Sequence, residues 1–112
     1  MSIRDWKLRI EDILEAITRI EESTENLPYQ QWQNDQKTID AVVRNIEIIS
    51  EAARHVPEEV QIKFVSIPWS KMKGIRNILI HEYFGVDNEI LWKTVQNELP
   101  NLKLQLTRLL NQ

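Results

Sequence analysis

The chain has 112 residues, 42% hydrophobic and 28% charged, with two glycines, four prolines and no cysteine. Such a length fits one compact domain over residues 1–112, the composition is that of a folded chain, and the lack of cysteine excludes disulfides, thiolate metal sites and a cysteine nucleophile. A net charge of −3 argues against gripping nucleic acid through the whole surface, and no apolar run nears the roughly 20 residues of a membrane span, so with no export signal visible a cytoplasmic protein is expected.

Ile3, Trp6, Ile10, Ile13, Leu14, Ile17 and Ile20 recur at steps of three and four, the period of an amphipathic helix. This helix should end between Ser23 and Asn26, because Leu27 precedes Pro28 and the residue before proline is pushed out of helical geometry. Tyr29 to Asn34 reads as a helical turn of its own. Asp35 is placed to cap a second long helix with the stripe Ile39, Val42, Val43, Ile46, Ile49, Ala52 and Ala53. His55 falls at its end, where a cation complements the helix dipole, a structural position.

Pro57 followed by Glu58 and Glu59 reads as a helix start, since proline tolerates the first turn and acids favour the positive end of the dipole. Pro68 opens another helix, carrying Trp69, Met72, Ile75, Ile78 and Leu79, weakened slightly by Gly74 and expected to stop at Gly85. Asp87 caps the last helix, with Ile90, Leu91, Val95, Leu99, Leu102, Leu106, Leu109 and Leu110 on its apolar face and a kink expected at Pro100. No segment alternates with period two and no hairpin dipeptide occurs. The expected fold is all-α, an up-and-down bundle of four to five helices joined by short loops.

From Val60 to His81 there is no acidic residue, while Lys63, Lys71, Lys73 and Arg76 all fall there, so a local cationic face is expected beside the plainer reading of a solvated helix. Arg76, Asn77, His81, Glu82 and Tyr83 interrupt an otherwise apolar stretch, and polar groups in such a setting need a reason to be there. A guanidinium binds phosphate bidentately, and an imidazole moves protons near neutral pH. The pair suffices for RNA cleavage with no metal and no cofactor: His81 handles the proton of the ribose 2′-hydroxyl or of the leaving oxygen, and Arg76 stabilises the pentavalent phosphorane. Five residues separate the two, about 140° around a straight helix, so convergence on one phosphate needs a distorted helix end or a second copy of the chain. The plain alternative is a solvated Arg76 paired with an acid on a neighbouring helix.

The run from Ile67 through Pro68-Trp69 and Arg76-Asn77-Ile78-Leu79-Ile80-His81-Glu82-Tyr83 to Asp87 resembles the signature of the HepT-like family of the HEPN superfamily. Ile49-Ser50-Glu51-Ala52-Ala53 and the closing Leu99-Pro100-Asn101-Leu102 resemble it too, and the family pattern of Arg, four residues, His, one residue, Tyr is met by Arg76, His81 and Tyr83. The resemblance implies a symmetric helical-bundle homodimer whose motif helices line a shared cleft. It implies a metal-independent endoribonuclease, the toxin of a toxin-antitoxin module, with Arg76 and His81 catalytic and Asn77 supporting them. The partner it implies is a minimal, MntA-like nucleotidyltransferase antitoxin that uses ATP to add AMP to Tyr83. A second reading is a non-catalytic binding module that partners such a transferase. Trp69 is read as a packing anchor in preference to a base-stacking platform, and Trp6, Trp32 and Trp92 as core or dimer surface.

Overall fold

A computed structural model describes residues 3–79 and 87–112, with side chains described for residues 6–77 and from 87 on. Its elements are α1 (Ile3–Thr24), α2 (Tyr29–Gln33), α3 (Gln36–Arg54), α4 (Glu58–Lys63), α5 (Trp69–Leu79), α6 (Asn88–Asn97) and α7 (Leu99–Leu110). Among the described residues the protein is all-α, and no helix is long and apolar enough to cross a membrane.

Each boundary has a local cause. Asn26 takes φ 59°, a left-handed conformation that asparagine tolerates, and Leu27 N–H closes on Thr24 O at 3.1 Å, which ends α1. The Asp35 carboxylate accepts from the backbone N–H of Thr38 at 3.0 Å and from its hydroxyl at 2.7 Å, starting α3. Asp87 accepts from Glu89 and Ile90 N–H and starts α6. The kink expected at Pro100 is a break: the last helical segment divides at Glu98, and Pro100 falls in the first turn of α7, where its missing N–H is harmless.

The two longest helices, α1 and α3, make the most extensive contact; α5 packs against α3, and α7 against α1 and α6. Ile10, Ile13, Ile17 and Ile20 of α1, Ile39, Val42, Ile46 and Ile49 of α3, and Leu91, Leu99 and Leu106 of α6 and α7 are essentially solvent-free. A buried leucine or isoleucine side chain contributes roughly 1.5–3 kcal/mol. The short α2 is held by Trp32, fully buried, whose indole N–H donates to Asn88 O at 3.1 Å and whose ring lies 5.3 Å from that of Trp92. Trp6 is buried near Phe64, with ring centroids 6.2 Å apart. These tryptophans therefore serve the core, as expected. His55 forms the C-cap of α3, with Nε2 3.0 Å from Glu51 Oε1, a structural role.

Candidate active site

Helix α5 presents the candidate residues. Trp69 fixes its start: the side chain is buried and its indole N–H donates to Phe64 O at 3.0 Å, so it is a packing anchor and offers no free ring for stacking. One turn on, Met72 and Ile75 bury against the bundle. Helix α5 packs on α3, where the buried Ser50 hydroxyl donates to Lys73 O at 2.6 Å and Arg54 Nη2 donates to the same oxygen at 3.4 Å. Because Ser50 and Arg54 meet Lys73 while Glu47 meets Arg76, α3 and α5 run antiparallel in a defined register.

That register sets the surroundings of Arg76, which lies in the last turn of α5. Its Nε is 3.8 Å from Glu47 Oε1, and the two side chains are 52% and 49% exposed. The separation is beyond a hydrogen bond, and half-exposed pairs of this kind contribute about 0–1 kcal/mol. The guanidinium is thus oriented by a carboxylate without being consumed by it. The plain alternative of an arginine paired with an acid on a neighbouring helix describes this geometry correctly, and it leaves Arg76 accessible to a phosphate. Asn77 is also exposed. His81 and Tyr83 lie outside the described residues, as does the expected helix stop at Gly85.

The cations expected to form a face over residues 60–81 are each engaged by a neighbour, though only Lys71 and Arg76 meet an acid. Lys71 pairs with Glu98, and Lys73 Nζ donates to Gln61 Oε1 at 2.7 Å. Lys63 Nζ lies 5.5 Å over the Phe64 ring. Arg76 meets its acid at 3.8 Å, outside hydrogen-bond distance, and stays half-exposed. Between α5 and the α6–α7 break is a cavity of about 280 Å3, lined by Met72, Ile75 and Leu102 together with Asn97, Asn101 and Gln105, and Arg76 is not part of its lining. Composition and spacing give no sign of this cavity, because its walls come from segments twenty or more residues apart.

A helical bundle bearing an exposed arginine at the end of its fifth helix is matched by the family model described as Ribonuclease HepT-like over residues 13–109, and the chain belongs to this family. It is 42% identical over 106 residues to "Putative RNase MJ1380" of Methanocaldococcus jannaschii, an alignment covering 95% of this chain and 97% of that one. It is 43% identical over 106 residues to "Probable ribonuclease HepT" of Thermococcus cleftensis, covering 95% and 96%. A bacterial relative, "Putative RNase TTE0752" of Caldanaerobacter subterraneus, is 36% identical over 101 residues, covering 90% of each chain. No solved structure matches the chain significantly.

Proposed function

We propose that this protein is an endoribonuclease that cleaves RNA without a metal ion, with Arg76 and His81 as its catalytic residues and Asn77 supporting them. The observation that carries the proposal is the accessible, loosely paired guanidinium of Arg76, inside the region matched by the HepT-like family. In this mechanism His81 takes the proton of a ribose 2′-hydroxyl, the 2′-oxygen attacks phosphorus, and the 5′-oxygen leaves with a proton supplied by a second acid. Arg76 stabilises the charge gathered on the non-bridging oxygens in the transition state. The products are a 2′,3′-cyclic phosphate and a 5′-hydroxyl. A symmetric homodimer would bring two motif segments together and supply both the base and the acid.

The same reading makes the protein the toxin of a toxin-antitoxin module. A minimal nucleotidyltransferase would transfer AMP from ATP to the Tyr83 hydroxyl with release of pyrophosphate, adding phosphate charge near Arg76 and repelling RNA. ATP is then the partner's substrate and not a cofactor of this chain. The test is incubation of RNA with purified protein in EDTA. Fragments ending in 2′,3′-cyclic phosphate are expected, and intact RNA with protein whose mass excludes AMP on Tyr83 would contradict the proposal.

A further inference from the structure

We infer that the RNA strand lies along the seam between α3 and α5, with Arg44 and Arg54 holding phosphates on either side of the one that meets Arg76. The inference deepens the ribonuclease reading and takes its substrate from it, while the path rests on the register of the two helices. Ser50 meets Lys73 O and Glu47 meets Arg76, so each step toward the start of α3 is a step toward the end of α5. In that register Arg54 and Lys73 lie at one level of the seam and Arg76 about one turn further on. Arg44 falls another turn beyond, level with the last described residues of α5.

Arg44, Glu47, Glu51 and Arg54 follow one another at steps of three, four and three, which sets them on one face of α3. Glu47 and Arg54 on that face both reach α5, so Arg44 borders the seam as well. It is exposed, and among the described residues no acid or carbonyl pairs with it. Arg54 is exposed too and gives one N–H, at 3.4 Å, to Lys73 O, which leaves its other donors for an anion. Lys73 Nζ is held by the neutral carboxamide of Gln61. The cations Arg44, Arg54, Lys73 and Arg76 thus stand along the seam with the carboxylates Glu47 and Glu51 between them, and Glu51 lies 3.0 Å from His55 Nε2. Asp40, one turn beyond Arg44, accepts from Gln36 at 2.7 Å and ends the cationic stretch. In a chain of net charge −3 the seam is a local reversal of sign.

The spacing fits a nucleic-acid backbone. Arg44 and Arg54 stand ten residues apart on α3, roughly 15 Å along its axis, and stacked nucleotides advance roughly 3.4 Å each, so the seam spans about four of them. An arginine grips a phosphate through two parallel N–H groups, and such contacts position a strand with no preference for its bases. Phosphates held at the two ends fix the path of the strand, and with it which phosphate comes to Arg76.

The experiment measures binding of the full chain to a labelled, 2′-O-methylated single-stranded RNA of mixed sequence, whose blocked 2′-oxygens prevent cleavage, at several salt concentrations. Arg44→Gln and Arg54→Gln should each weaken binding about three- to tenfold and lower the salt slope by about one, the loss of one phosphate contact. Arg108→Gln removes an exposed cation from α7, away from the seam, and should leave both quantities as in the parent. Melting curves show whether each variant is folded, and Arg44, which has no partner to lose, keeps the test open if Arg54→Gln is destabilised. Parent-like binding by both seam variants, an equal loss in Arg108→Gln, or no binding by the parent would overturn the inference. Cleavage of unmodified RNA separates the two readings. A protein that cuts RNA but binds it equally well without Arg44 and Arg54 loses the seam and keeps the ribonuclease. Binding that depends on both arginines in a protein that cuts no RNA supports the seam and removes the ribonuclease reading alone.

Discussion

Arg76 Nε stands 3.8 Å from Glu47 Oε1 across the α3–α5 interface, near enough to be oriented and too far to be hydrogen-bonded. A phosphate arriving at Arg76 competes with that carboxylate for the guanidinium and is repelled by its negative charge. Glu47→Gln should therefore tighten RNA binding about two- to threefold at low salt, with the gain fading as ionic strength rises. Stability should change by less than about 0.5 kcal/mol, as for exposed pairs generally. Fluorescence anisotropy with a labelled RNA at two salt concentrations measures this, and weaker binding by the variant would show Glu47 to be required for the arginine's placement.

The Ser50 hydroxyl, buried and bonded to Lys73 O at 2.6 Å, fixes the register of α5 against α3 one turn before Arg76. Ser50→Ala should cost about 0.5–1.5 kcal/mol in urea unfolding, the net worth of one buried hydrogen bond. It should also lower RNA cleavage by more than the fraction unfolded accounts for, because the arginine's helix is less firmly held.

At Gly74 an added Cβ meets nothing within 4 Å. No positive backbone angle sets this glycine apart, so its cost in the middle of α5 is entropic. Gly74→Ala should stabilise the fold by roughly 0.5–1 kcal/mol, read as a higher melting temperature. Loss of cleavage in a stabilised variant would mark the α5 surface at Gly74 as a close-approach site for RNA or a second copy.

Asp35 caps α3, and its carboxyl is held below the ordinary 3.8, first by the hydrogen bond from the Thr38 side chain and then by the Thr38 backbone N–H. Lysine 37 adds a smaller downward pull against the cost of burial. A depressed carboxylate contributes stability above its unfolded pKa and loses it as pH falls through the folded value. Asp35→Asn should therefore melt below the parent at pH 6 and converge with it as pH falls below the ordinary carboxyl value of 3.8 and through the lowered folded one. A constant difference across that range would show that the charge of Asp35 plays no part.

What could be read from residues alone was the set of locally encoded features. The isoleucine stripes of α1 and α3 and the caps at Asp35 and Asp87 depend on neighbours a few positions away, and they stand as expected. Among the described residues the seven helical pieces are the expected bundle, with the short α2 and α4 counted separately and the last helix divided at Glu98. Pro100 signalled a disturbance, but whether it bends or breaks the helix depends on the packing of Leu99 and Leu102, which local sequence does not encode. The partners of the cations were hidden for the same reason: Glu47 with Arg76, Glu98 with Lys71 and Gln61 with Lys73 are joined only by the fold. Arg76 itself was legible as a candidate because it stood in a recognisable motif, whereas the cavity between α5 and the α6–α7 break has no motif.

The central claim, that Arg76 and His81 cleave RNA without a metal, is tested most directly by single-turnover cleavage in EDTA by the parent, Arg76→Ala and His81→Ala proteins, each checked for folding by its melting curve. Cleavage by the parent, reduced by a factor of about 100 or more in each variant with melting unchanged, is the predicted result. Equal cleavage by all three proteins, or cleavage by the parent that EDTA abolishes, would contradict it.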